Sequence, residues 1–216
     1  YGLTYYYGFN PMPQASDFTA DSTGDIHFAW TQDGKTVTPR DAGTYTLTVT
    51  VDGDENYKPA SLVLTVTIGK SSNIGKAVDS VQGETVFGKN DGLVKLSAPA
   101  ENCEYRVKGE TEYRNIPGDP QGKTLSLDVG TYEFRLKETK NYNPTPAETV
   151  TIGAGPKLTV TLPSPQTGYS LTADKQELSW HDTLKLTLTV AEGYYKTASF
   201  AVKAGDRVFT EDKGTY

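Results

Sequence analysis

One pentapeptide, Asp-x-Gly-Thr-Tyr, occurs three times in this 216-residue chain, and that recurrence constrains the fold more than any other feature. The copies are Asp41-Ala42-Gly43-Thr44-Tyr45, Asp128-Val129-Gly130-Thr131-Tyr132 and Asp212-Lys213-Gly214-Thr215-Tyr216, spaced 87 and 84 residues apart. After the first two copies the match continues in the same order. Asn56-Tyr57-Lys58-Pro59 is answered by Asn141-Tyr142-Asn143-Pro144, and Thr65-Val66-Thr67-Ile68-Gly69 by Thr149-Val150-Thr151-Ile152-Gly153. A fixed period of this length means tandem units, each burying its own core. Three domains are therefore expected: 1–69, 70–153 and 154–216, the last cut short where its next strand should begin. The linkers fall at 69–75 and 153–156, where hydrophobic alternation stops. Both are short enough to favour an elongated, semi-rigid rod.

Within each unit the pattern is that of strands. Thr44-Tyr45-Thr46-Leu47-Thr48-Val49-Thr50-Val51 alternates polar and apolar positions, as a sheet with one buried and one wet face requires. No segment sustains a helical period; even residues 173–183, the best attempt, lack a third apolar row. The expected fold class is all-β, with tandem small β-sandwiches. Asp-x-Gly-x-Tyr just before an apolar position has the layout of an immunoglobulin tyrosine corner, in which the Tyr hydroxyl bonds back to the backbone and Gly permits a tight turn. Asp41, Gly43 and Tyr45 form one such candidate, and Asp128, Gly130 and Tyr132 another. Leu47 and Phe134 stand where antibody domains carry a cysteine, so apolar packing replaces a disulfide. Trp30 lies in a central-strand-like segment and is assigned to the core.

Composition narrows the chemistry. A formal net charge of -6 provides no basic footprint for nucleic acid or anionic membrane surfaces. No run of 18 apolar residues predicts membrane insertion, and the chain starts at Tyr1 without a signal-like segment, so it reads as an excised piece of a longer protein. The single cysteine, Cys103, excludes an internal disulfide and reads as a small buried hydrophobe, and with only two histidines no cysteine-histidine zinc cluster can be assembled. No metal site and no cofactor are predicted. His27 lies in an alternating strand and His181 in Ser179-Trp180-His181-Asp182, with no Gly-x-Ser-x-Gly elbow, so no catalytic residue is assigned and the chain is not expected to be an enzyme. Asp52-Gly53-Asp54-Glu55-Asn56 has oxygen ligands at alternate positions, as calcium loops do, yet lacks the later bidentate Glu and reads as a turn. Arg106 and Arg135 lie in strand-like segments with Glu104 and Glu133 two residues away on the same side, a pattern that reads as cross-strand ion pairing.

The strongest candidate for a binding site is aromatic. Tyr5, Tyr6 and Tyr7 are consecutive, with Tyr1 and Phe9 beside them, and consecutive side chains on a strand alternate between faces, so at least one ring must point outward. Exposed tyrosine suits sugar rings and protein interfaces. The competing reading is that these rings cover the end of the first unit. Tyr194-Tyr195 raises the same question.

Several segments resemble bacterial immunoglobulin-like repeats. Residues 15–20 and 24–26, Asp41-Ala42-Gly43-Thr44-Tyr45 and Glu55-Asn56-Tyr57-Lys58-Pro59-Ala60 make the first unit similar to the MBG-type (mostly β) repeat. Glu104-Tyr105-Arg106-Val107, Gly130-Thr131-Tyr132-Glu133-Phe134-Arg135 and Asn141-Tyr142 give the second unit the look of repeats in surface proteins of gut Firmicutes. Residues 191–195 and 200–203 do the same for the third. The resemblance implies a secreted or cell-wall-attached, extracellular, non-catalytic region of a Gram-positive surface protein, acting as stalk or adhesive module. Host glycans or extracellular-matrix and surface proteins are the implied partners, along with flanking domains of the same chain. A carbohydrate-binding accessory module of a larger extracellular enzyme is the alternative.

Overall fold

The computed structural model describes residues 2–8, 13–197, 200–204 and 206–210. The third pentapeptide, residues 212–216, and two members of the aromatic cluster, Tyr1 and Phe9, lie outside the described residues. The protein is all-β: eighteen strands and two single-turn 3-10 helices are present among the described residues, with no α-helix.

The first unit is one mixed five-stranded sheet. Its strands are β1 (Gly2–Tyr6), β2 (Ile26–Gln32), β3 (Lys35–Thr36), β4 (Gly43–Val51) and β5 (Ala60–Gly69), in the order β1-β5-β4-β2-β3. β1 runs parallel to β5 and the other pairs are antiparallel. The threonines of β4 and β5 take the wet face while Leu47, Val49, Leu64 and Val66 are buried. Phe28, Trp30, Phe18 and Tyr5 pack partly buried against that cluster. A two-sheet sandwich is expected here, and the strands instead form a single layer. Residues 13–25 carry Pro, Ser, Asp and Gly in place of alternating β-branched residues, so they cross the apolar face as a 3-10 turn, Ala15–Asp17, and irregular chain.

The second unit is a sandwich of two sheets. One contains β6 (Val78–Gln82), β7 (Gly92–Leu96) and β10 (Thr124–Leu127), in the order β10-β7-β6. The other contains β8 (Cys103–Val107), β9 (Arg114–Asn115), β11 (Gly130–Leu136) and β12 (Glu148–Ile152), in the order β12-β11-β8-β9. The chain crosses between sheets after β7, β9 and β10, and the inner faces share one core of Val94, Leu96, Cys103, Leu125, Phe134, Val150 and Ile152. Gly92 marks the seam, because a Cβ there would lie 2.3 Å from Ile152 Cγ2.

The remaining strands form two-stranded ribbons. These are β13 (Leu158–Thr159) with β15 (Glu177–Leu178), β14 (Tyr169–Ala173) with β16 (Leu186–Val190), and β17 (Val202–Ala204) with β18 (Arg207–Phe209). Leu186, Leu188 and Val202 are the buried apolar side chains among the described residues of this stretch. The whole chain exposes 14446 Å². A compact protein of 23.5 kDa exposes only about 9,800 Å², so this chain exposes clearly more surface than one globule of its mass.

The sequence repeat is also a repeat of hydrogen bonds. Tyr45 donates its hydroxyl to the Asp41 carbonyl at 2.8 Å, and Tyr132 to the Asp128 carbonyl at 3.0 Å. Gly43 and Gly130 are needed for space and not for a left-handed backbone: neither has a positive φ, and a Cβ at Gly130 would lie 3.3 Å from the Tyr132 ring. The Asn-Tyr turns also match. Asp54 Oδ1 accepts the amides of Asn56 and Tyr57, while Thr139 Oγ1 accepts those of Asn141 and Tyr142. An aspartate and a threonine thus build the same turn.

Candidate functional site

Two places gather polar and aromatic side chains from distant parts of the chain. The first is the joint between units one and two. Asp41, just ahead of the first tyrosine corner, accepts hydrogen bonds from Lys140 Nζ at 2.6 Å and Asn141 Nδ2 at 2.9 Å. Asn141 Oδ1 in turn accepts the Ala42 amide at 2.8 Å. The Lys140 ammonium, followed by the Asn141 amide, holds the Asp41 carboxyl below its ordinary range, and Asp41 raises Lys140 reciprocally. The linker is clamped too. Ser71 donates its amide to the Asn141 carbonyl and accepts the Asn143 amide, both at 2.9 Å, and Lys70 pairs with Glu138. Above it the rings of Tyr7 and Tyr142 meet edge-on at 5.3 Å.

The passage from unit two into the third stretch is held by other groups. Glu84, only 6% exposed, accepts the amides of Asn90 at 2.7 Å and Gly155 at 3.2 Å. Those backbone donors, Asn90 first, keep its carboxyl below the usual range. Phe87 donates its amide to the Pro156 carbonyl and accepts that of Trp180, while Lys89 lies 5.0 Å from the Trp180 ring centroid.

The second place is a groove of about 840 Å³ over the outer face of the β12-β11-β8-β9 sheet, walled by residues 72–76 and 143–148. In the β8–β11 register Arg106 faces Glu133 and Glu104 faces Arg135, so two ion pairs of opposite polarity stand side by side. Arg106 bonds Glu133 through Nε at 2.7 Å and through a terminal nitrogen at 2.6 Å, and it spends its other terminal nitrogen on the Thr111 carbonyl. Glu133 holds the Arg106 guanidinium above its ordinary pKa. Arg135 bonds Glu104 through Nε alone, at 2.6 Å. The Tyr113 ring lies against both guanidiniums, with centroid distances of 4.4 Å to Arg106 and 3.8 Å to Arg135.

The tyrosines at the N-terminus do not form one platform. Tyr5 turns inward onto the first core, Tyr6 points outward at 61% exposure, and Tyr7 sits on Tyr142 at the joint. Tyr194 and Tyr195 are both exposed. His27 Nε2 lies 3.0 Å from Asp52 on the surface, and that hydrogen bond raises its pKa. His181 occupies a turn with φ of 64°. In the acidic run the Asp54 oxygens already accept the amides of Thr23, Asn56 and Tyr57, and no group of three or more His, Cys, Asp or Glu is poised to hold a metal among the described residues. Cys103 is buried and free, with its thiol pKa pushed up by burial.

Sequence reasoning passed over Tyr113 and the Asp41–Asn141 joint. Tyr113 sits in a polar turn without alternation. The repeat did single out both Asp41 and Asn141, although nothing in it indicated that they meet. No family model, no curated protein and no solved structure matches this chain.

Proposed function

We propose that this chain is a non-catalytic, jointed spacer of tandem β units, the second of them immunoglobulin-like, in a secreted or wall-attached bacterial surface protein. The observation that carries this reading is the joint at Asp41. A linker of Lys, Ser, Asn and Gly would swing freely in water. Here it is tied on both sides, and the tie is made by the repeated motifs themselves, the tyrosine-corner turn of one unit and the Asn-Tyr turn of the next. A stalk needs such a joint: it transmits orientation from unit to unit while each unit keeps its own core. The strand order of unit two, the two tyrosine corners and the large exposed surface support the same reading. Small-angle scattering tests it. A single compact chain of this length has a radius of gyration near 17 Å. The wild-type protein should exceed that clearly, and Asp41→Ala should broaden its distribution of dimensions. A wild-type value near 17 Å would overturn the spacer reading.

The groove floored by Tyr113 favours a second reading, in which the same region also binds saccharide as an adhesive or accessory module. A glycan, mucin and matrix-protein screen against wild type, Tyr113→Ala and the Tyr5, Tyr6 and Tyr7 alanine variants would locate such binding.

A further inference from the structure

We propose that the groove over the β8–β11 face of unit two binds a carboxylate-bearing saccharide, with Arg135 receiving the carboxylate. This inference rests on the second, saccharide-binding reading. Arg106 is fully engaged: Glu133 and the Thr111 carbonyl take all three of its nitrogens. Arg135 is not. Glu104 takes Nε, and its two terminal nitrogens have no protein acceptor among the described residues, although the side chain lines the groove and is half-buried. Tyr113 stacks on the guanidinium face, which leaves that in-plane edge open. Two parallel N–H groups on a planar edge match the two oxygens of a carboxylate.

Lys76, Arg106 and Arg135 face Glu104, Glu133 and Glu148 around the groove, so the formal charges cancel and the open edge of Arg135 is the cationic group a guest carboxylate would meet. The walls supply the rest of a sugar site. Ile74, 96% exposed, and Pro144 offer apolar surface for a C–H face, while Ser72 and Asn143 present side chains without partners among the described residues to ring hydroxyls.

The test is an amide-resolved NMR titration of the full chain with digalacturonate, with neutral digalactose as the matched control and a glutamate-rich pentapeptide as a rival carboxylate source. The expected result is saturable shifts at Ile74, Tyr113 and Asn143 with digalacturonate, and affinity at least tenfold weaker for digalactose and for the peptide. Arg135→Gln should weaken binding about tenfold, in keeping with loss of a charge-assisted bond. The double variant Glu104→Gln/Arg135→Gln should do the same, which excludes mere repulsion by an unpaired Glu104. Tyr113→Ala should also weaken it, with the amide pattern of Tyr132 and Phe134 unchanged to show that the sandwich stays folded. Equal binding of digalactose in the groove would overturn the acidic class and leave the saccharide reading standing. Preferred binding of the peptide would overturn the saccharide assignment. Shifts confined to other surfaces, or none with any sugar, would overturn both.

Discussion

Phe134→Ala tests whether the cores of units one and two are separate. Phe134 is fully buried at the centre of the sandwich, stacked on Tyr105 at a centroid distance of 5.5 Å with 21° between the planes. Val94 and Leu96 of the opposite sheet share its core, so two hydrogen-bonded layers hold the walls apart and the space cannot collapse. Loss of the ring therefore removes its transfer energy and leaves a cavity, about 3–5 kcal/mol together. In native-state hydrogen exchange each 1.4 kcal/mol is a factor of ten, so the slowest amides of β7, β8 and β11 should exchange about 10² to 4 × 10³ times faster. The amides of β4 and β5, over the Leu47, Val49, Leu64 and Val66 cluster, should change less than about threefold, because sites without shared partners add independently. A parallel collapse of protection in β4 and β5 would instead mean one cooperative core across the joint.

Tyr45→Phe and Tyr132→Phe each remove one hydroxyl bonded to a carbonyl four residues back, and each should cost its own unit about 0.5–1.5 kcal/mol in urea denaturation. Asp54 sits at about 2, pulled down from an ordinary 3.8 chiefly by the Thr23 amide and then by those of Asn56 and Tyr57. A lowered carboxyl stabilises fully above its unfolded pKa and loses that contribution as pH falls through the folded one. Side-chain carboxyl shifts followed by NMR should therefore titrate near pH 2, and the 52–57 turn should loosen between about pH 4 and 2. Asp54→Asn should abolish that acid sensitivity. The third stretch, built of two-stranded ribbons over few buried side chains, should show the weakest exchange protection of the three; protection equal to β4 and β5 would contradict this.

What could be read from the sequence was local or periodic. The tyrosine corners are legible because donor and acceptor are four residues apart and the same five letters recur. The strands of β4 and β11 are legible from alternation. The alternating pattern of β4 also shows that one face is buried, but not what covers it, so the single-layer form of unit one depends on residues 13–25 declining to form strands. The joint is illegible for another reason: Asp41 and Asn141 are 100 residues apart, and their meeting depends on where two distant turns are carried by different sheets. Tyr113 belongs with them. Its place over Arg106 and Arg135 follows from the β8–β11 register, which sets two diagonal guanidiniums beneath one ring. Glu84 was equally hidden, an acid in a polar stretch whose burial comes from the linker amide of Gly155 folding back onto it.

In the proposed spacer, units one and two keep a fixed relative orientation. Residual dipolar couplings of backbone amides in weakly aligned wild-type protein measure this directly. One common alignment tensor is expected for β4 and β5 and for β8, β11 and β12, splitting into two tensors of different magnitude in Asp41→Ala. Two distinct tensors already present in the wild type would contradict it.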